Sequence, residues 1–144
     1  MTHEDKGHFA KKHPPGRKAR PEIAEAVKKR ASNGEITCPA AHGIATNFNI
    51  PPEEVGFTAD FFEISLAKCQ MGLFGYRPEK SIVKPAETVS QAMEEAIRDF
   101  LMNGRLTCKN AWEIAETFGI KKMEVSSACE TLKIKIISCQ LGAF

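Results

Sequence analysis

Apolar residues recur at helical spacing on both sides of a short break in residues 103–125. The helix before the break places four apolar residues on one face: Ala111, Ile114, Ala115 and Phe118. Gly119 follows at once, and glycine accepts the positive φ that a sharp turn after a helix requires. The helix after the break has its own apolar face, at Val125, Ala128, Cys129 and Leu132. The pattern therefore predicts two helices joined by a tight turn.

The same pattern occurs earlier in the chain. Residues 21–74 match residues 91–144 without a gap, and 18 of the 54 aligned positions are identical. The turn residue Gly119 corresponds to Asn49, and asparagine tolerates the left-handed conformation better than most residues do. A gapless match over a whole unit indicates an internal duplication. The predicted domains are thus two repeats, 21–74 and 91–144, a linker at 75–90 and an arm at 1–20.

Small alanines at the helix crossing and glycine or asparagine in the turn resemble the helix-turn-helix and winged-helix domains that bind DNA. The resemblance implies a mainly α fold with short strands, made of two tandem helix-turn-helix, winged-helix-like repeats related by a pseudo-twofold axis. Each repeat should hold three helices and one strand, at 64–69 and 134–139. Each strand pairs either with 36–38 or 106–108, or with the other strand. A winged helix has a hairpin after its third helix, and the second repeat has no room for one after Cys139.

Polar residues and glycine predict where the helices begin and end. The first helix spans 21–33, with Gly34 as its stop, because glycine commonly terminates a helix. Thr37 and Ser90 are suited to cap the two helices that follow them, since their hydroxyls can accept a backbone N–H left without a partner. The helix after Ser90 is predicted to span 91–102.

Composition and charge change this picture only in part. No apolar run approaches the length of a membrane span, and no apolar core of a secretory signal is found, so we expect no membrane partner. Five cysteines, an odd number, favour the reducing cytoplasm. The formal net charge of +2 hides an asymmetry, because six basic and two acidic residues give residues 1–20 a charge of +4. This arm is predicted to be disordered, and it serves either to bind phosphates or to keep the chain soluble.

The third helix of the second repeat is where a helix-turn-helix would contact the major groove of DNA. Lysines there can bind phosphate, and short hydroxyls allow close approach to base edges. The matching positions of the first repeat hold Glu53, Glu54 and Asp60, which would repel phosphate. We therefore expect DNA contacts from the second repeat and the arm only. The candidate residues are Lys121, Lys122, Ser126, Ser127 and Lys133, together with Arg17, Lys18 and Arg20.

Two aromatic residues of the first repeat are candidates for a partner interface. Phe57 and Phe61 are four residues apart on the predicted third helix, and both face outward if Phe62 faces inward. Exposed aromatics on one helix face indicate a surface for a second copy or another protein. The alternative is that the linker folds over them.

The cysteines repeat a spacing. Cys38 and Cys69 are 31 residues apart, as are Cys108 and Cys139. Strand pairing would bring the thiols of each repeat together, and four thiolates could bind zinc or an iron–sulfur cluster. Buried cysteine as a small apolar residue is the commoner outcome, so no metal or other cofactor is assigned.

No catalytic set is visible in the sequence. His42 is the only histidine in the two repeats, and the second repeat has Trp112 at the equivalent position. No glycine-rich phosphate loop is present either. The leading prediction is a small cytoplasmic, non-enzymatic DNA-binding protein that regulates transcription. The alternatives are a protein-interaction or assembly module that uses the helix-turn-helix fold without DNA, and a thiol-based metal or redox sensor.

Overall fold

The computed structural model describes residue 13 and residues 16–143. This part of the chain is mainly helical with a few short strands, as the sequence predicts. The elements in chain order are α1 (Pro21–Arg30), β1 (Glu35–Thr37), α2 (Cys38–Phe48), α3 (Pro52–Phe61), β2 (Ser65–Ala67), α4 (Gln91–Asp99), β3 (Leu106–Thr107), α5 (Cys108–Phe118), α6 (Lys122–Leu132) and β4 (Ile136–Ile137).

The chain forms two compact units whose boundaries differ from those of the predicted repeats. One unit comprises Met1–Cys69 together with Gln140–Phe144, and the other comprises Gln70–Cys139. The few residues that follow the last strand of each repeat therefore belong to the unit built from the other repeat. Both segments contribute buried side chains, since Met71 and Leu141 are almost fully buried.

The first unit packs α1, α2 and α3 around one apolar core. Its fully or nearly fully buried side chains include Ile23, Val27, Ile36, Ile44 and Val55. Each such aliphatic side chain stabilises the fold by about 1.5–3 kcal/mol relative to an exposed one. Strand β1 pairs with β2 in parallel, with Ile36 opposite Leu66. The predicted pairing of 64–69 with 36–38 is thus confirmed.

The second unit repeats this arrangement with α4, α5 and α6. Ile97, Leu106, Ile114 and Val125 form its core. Strand β3 pairs with β4 in parallel, with Leu106 opposite Ile136. Each parallel pair is short, so the sheets serve mainly to fix the chain that leaves the third helix.

Helix capping follows the sequence prediction. The Thr37 hydroxyl accepts the backbone N–H of Ala40 at 3.2 Å, and the Ser90 hydroxyl accepts that of Met93 at 3.1 Å. The turn after α2 has Asn49 at φ 53° and the turn after α5 has Gly119 at φ 63°, both left-handed. The predicted caps and turns are therefore confirmed.

The predicted ends of α1 and α4 are wrong. Helix α1 ends at Arg30, and the following Asn33 and Gly34 both have positive φ, at 53° and 76°. They form a two-residue turn that joins Ser32 to Glu35 by two backbone hydrogen bonds of 2.8 and 3.0 Å. Asparagine followed by glycine favours this tight turn, so the pair reverses the chain into β1 and does not stop a helix. The same turn follows α4, which ends at Asp99.

Candidate functional site

The middle of helix α3 is buried on all sides in the first unit. The helix begins after Pro51 and carries Glu53 and Glu54 in its first turn. Every residue from Val55 to Asp60 is buried. A helix that packs only on a core leaves one face in solvent, so the burial of six successive residues requires a second cover. Two segments from distant parts of the chain supply it.

The first cover is part of the arm, which lies over Phe57. The guanidinium carbon of Arg17 is 3.8 Å from the centre of the Phe57 ring, and the His13 ring meets the same ring edge-on at 4.8 Å. Phe57 is consequently only 2 % exposed, whereas Phe61 is 39 % exposed. The prediction that Phe57 faces outward is wrong because the arm, not the linker, covers it. Phe61 remains at the surface.

Carboxylates of α3 bind the arginine and the histidine of the arm. Arg17 donates hydrogen bonds to both oxygens of Glu53, at 2.8 and 3.3 Å, and to Glu54 at 3.2 Å. Nε2 of His13 lies 2.7 Å from a carboxylate oxygen of Asp60, with both side chains largely buried. The hydrogen bond from Arg17 lowers the pKa of Glu53 and the same bond raises the pKa of Arg17, because it favours the charged form of each group.

These contacts change the expectation for the arm. Of the arm, which the sequence predicts to be disordered, His13 and Arg17 lie against Phe57, whereas residues 1–12, 14 and 15 lie outside the described residues. Of the three arm residues predicted to bind DNA, Arg17 is engaged by two carboxylates, Arg20 pairs with Glu22 at 2.7 Å, and Lys18 is exposed. The docking could have been anticipated from one signal, the opposite net charges of the arm and the first repeat.

The second cover on α3 is the segment around Leu141. A Cβ atom placed on Gly56 would lie 1.7 Å from the Leu141 carbonyl oxygen, far inside van der Waals contact. Leu141 itself is 1 % exposed. Only glycine at position 56 therefore leaves room for this segment. Sequence reasoning missed this role, and the equivalent residue of the second repeat, Ser126, gave no hint of it.

The candidate DNA-binding residues on α6 divide into two groups. Lys121 and Lys133 are exposed at the two ends of the helix, and the amine of Lys122 lies 4.5 Å from the centre of the Trp112 ring. Ser126, in contrast, is 1 % exposed, and its hydroxyl is buried without a hydrogen-bond partner among the described residues. The prediction that Ser126 lies on the outer face is therefore wrong, because that part of α6 is packed.

Linker residues lie along α6 in the second unit. The backbone N–H of Ala86 donates to the Ser127 carbonyl at 3.0 Å, and the Thr131 hydroxyl donates to the Ala86 carbonyl at 2.6 Å. Earlier in the linker, Ile82 donates its N–H to the Gly72 carbonyl at 2.9 Å. The hydroxyl of Thr131 and the backbone beside Ser127 are thus occupied by an extended segment of the chain itself.

The cysteines are mostly buried. None of the five cysteines, all of which lie in the described part of the chain, is in a disulfide. Burial raises the pKa of Cys129 to about 11, with a smaller contribution from Glu130. Within residues 13 and 16–143, no three histidine, cysteine or acidic side chains are grouped as metal ligands would be.

Two further observations concern the chain as a whole. The longest described helices have eleven residues, and none has the length and apolar character of a membrane span. Comparisons with known protein families, with curated proteins and with solved structures found no significant match.

Proposed function

We propose that the chain is a protein-interaction module built on two tandem helix-turn-helix, winged-helix-like repeats. In each repeat three residues join two helices, and the first of the three is left-handed: Asn49 between α2 and α3, and Gly119 between α5 and α6. That order supports the helix-turn-helix assignment. In this proposal the third helix of each repeat receives an extended polypeptide segment, and it does not enter a DNA groove.

The observation that carries the proposal is the burial of α3 from Val55 to Asp60. A helix that reads DNA needs an open face from which three or four side chains reach base edges. Here that face holds Phe57, sandwiched between the helix and the arm, and a glycine against which another segment packs. Such features are typical of a helix that binds polypeptide.

The chemistry of this face indicates the class of segment that it takes. Glu53 and Glu54 bind one guanidinium from two sides, Asp60 meets a histidine, and Phe57 lies beneath the guanidinium. The acidic residues repel phosphate but favour a cationic segment, and the aromatic ring adds a cation–π contact. We therefore assign α3 as a receptor for an arginine-containing basic segment, which the arm of the chain itself occupies.

A peptide-binding experiment tests this assignment. The protein is the full chain carrying Arg17→Ala, which weakens its own arm and vacates the face. The probe is a labelled peptide with the sequence of residues 8–20, compared with the same peptide carrying Arg17→Ala. We expect the unaltered peptide to bind about tenfold more tightly, a difference of about 1.4 kcal/mol. Adding Glu53→Gln to the protein should reduce the difference, because Glu54 and Phe57 still contact the guanidinium. Equal binding of the two peptides to the protein that retains Glu53 would refute the assignment.

The second candidate is the DNA-binding transcriptional regulator that the sequence resemblance implies. Lys121 and Lys133 favour it, because both are exposed at the ends of α6. Each phosphate contact contributes a slope of about −0.9 to the logarithmic salt dependence of binding. Lys121→Gln should therefore reduce the slope measured with a labelled duplex, and Lys29→Gln, an exposed residue of the first unit, should not. Absence of any binding at low salt would exclude this candidate. Both candidates assume the cytoplasmic setting that the cysteine usage predicts.

A further inference from the structure

A short sequence occurs twice in the chain. Cys-Gln-Met-Gly-Leu-Phe at 69–74 corresponds to Cys-Gln-Leu-Gly-Ala-Phe at 139–144. Its glycine has φ 77° in the first copy and 83° in the second. The apolar residue before that glycine, Met71 or Leu141, is fully or nearly fully buried. We name residues 70–73 and 140–143 the first and second tail segments.

Each tail segment lies in the unit formed by the other repeat. The second tail segment belongs with Met1–Cys69 and rests on Gly56 of α3. The first belongs with Gln70–Cys139, where a Cβ on Gly72 would lie 3.1 Å from the Met123 side chain at the start of α6. In both cases, therefore, the third helix of one repeat contacts the tail segment of the other repeat. This is the pattern that reciprocal segment exchange produces.

We propose that the notch over Gly56 also accepts residues 140–143 of a second copy of this chain. The inference rests on the proposed function, in which third helices receive extended segments, and it names a partner for one of them. The second copy carries the same segment with the same glycine turn, so exchange preserves the contacts of Leu141 and the close approach to Gly56. Exchange changes the path of the chain where it passes from one unit to the other, between Cys139 and Gln140. Exchange between copies is therefore governed by concentration.

The notch itself supplies a selective variant and a matched control. Gly56→Ser blocks the notch, because a Cβ there overlaps the Leu141 carbonyl, while α6 accommodates serine at the equivalent position 126. Gly43→Ser places the same side chain on α2, where a Cβ would meet nothing within 4 Å. A third variant, Leu141→Asp, keeps the notch but removes the apolar side chain of the segment.

The experiment measures the mass of the full-length chain by sedimentation equilibrium over a range of concentrations. Wild type and Gly43→Ser should shift from 15.9 kDa towards twice that mass as the concentration rises, whereas Gly56→Ser should remain at 15.9 kDa. A mixture of Gly56→Ser and Leu141→Asp should form a heterodimer, because one supplies the segment and the other the notch. Circular dichroism of each variant alone checks that it folds. If Leu141→Asp does not fold, the comparison of the masses of wild type and Gly56→Ser decides the question.

The outcomes separate this proposal from the proposed function. If every variant is monomeric at all concentrations, the exchange is overturned. A dimer that forms equally well with Gly56→Ser would also overturn it, because such a dimer must use another surface, such as that around Phe61. Neither result bears on the arm peptide, which binds at Phe57, Glu53 and Glu54 and not at Gly56. A heterodimer together with equal binding of the two arm peptides would support the exchange of the tail segment and refute the assignment of α3 as a receptor for a basic segment.

Discussion

Replacing Arg17 by alanine should release the arm from α3 and uncover Phe57. The guanidinium makes three hydrogen bonds to Glu53 and Glu54 and lies 3.8 Å from the centre of the aromatic ring. The substitution removes all of these contacts at once. It leaves the core on the other side of the helix unchanged, because Val55 and Ala59 are buried there among apolar residues.

The expected loss of stability follows from how exposed Arg17 and its contact residues are. Arg17 is 31 % exposed and Glu53 is 55 % exposed, so the ion pairs are well screened and contribute about 0.5 kcal/mol. The contact with the Phe57 ring contributes about another 0.5–1 kcal/mol, because the ring is buried beneath the guanidinium. Arg17→Ala should thus lower the free energy of unfolding by about 1–1.5 kcal/mol. Arg20→Ala removes the same charge but only an exposed contact with Glu22, and it should cost under about 0.5 kcal/mol.

Urea denaturation followed by circular dichroism gives the two free energies. A second readout is the rate at which trypsin cleaves after Lys18, because the protease acts on the released arm and its rate follows the released population. A loss of 1.4 kcal/mol in docking corresponds to about a tenfold faster cleavage in Arg17→Ala. Equal stability and equal cleavage of Arg17→Ala and Arg20→Ala would show that the arm does not depend on the Arg17 contacts.

Four other changes have defined outcomes. Thr37→Ala should destabilise the protein by about 1 kcal/mol in thermal denaturation, because it removes the cap of α2, and Thr37→Ser should not. Gly119→Ala should cost about 1 kcal/mol, because its left-handed φ strains a Cβ. The pKa of Glu53 is lowered from 4.5, so the stability difference between wild type and Glu53→Gln should be full above pH 4.5 and vanish as the pH falls further. Iodoacetamide at pH 8 should label the half-buried Cys139 before Cys129, whose pKa of about 11 leaves few thiolates, as mass spectrometry would detect.

Local chemistry explains which parts of the fold could be predicted from the sequence. Thr37 and Ser90 cap helices because a hydroxyl before a helix has few other partners within reach. Asn49 and Gly119 mark the turns because few residues adopt positive φ without strain. The helix ends near residues 30 and 99 were mispredicted for a related reason. An asparagine–glycine pair can serve either as a stop or as a two-residue turn, and the strand that follows decides between them.

The covers of α3 could not be predicted in this way. Arg17 meets Glu53 across 36 residues, and Leu141 meets Gly56 across 85, so no periodic pattern connects them. Net charge shows only that the arm and the first repeat attract each other, without fixing which side chains meet. The helical pattern predicts that Phe57 is exposed, because that pattern carries no information about the arm that covers the ring. The sequence likewise does not show why a helix has glycine at a given position, because the reason depends on the backbone that packs against it.

Differences between the two third helices follow from what covers each of them. Position 56 is glycine where the Leu141 carbonyl oxygen approaches, whereas the equivalent position 126 is a buried serine. Position 53 is glutamate where the arginine of the arm lies, and the equivalent position 123 is methionine where Gly72 of a tail segment packs. Position 54 is not a difference, because its equivalent in the second repeat is Glu124. The glutamate at position 53 is thus accounted for by the arginine of the arm that it binds. It need not record the loss of an earlier affinity for DNA, and the lysines of α6 have to be judged on their own exposure.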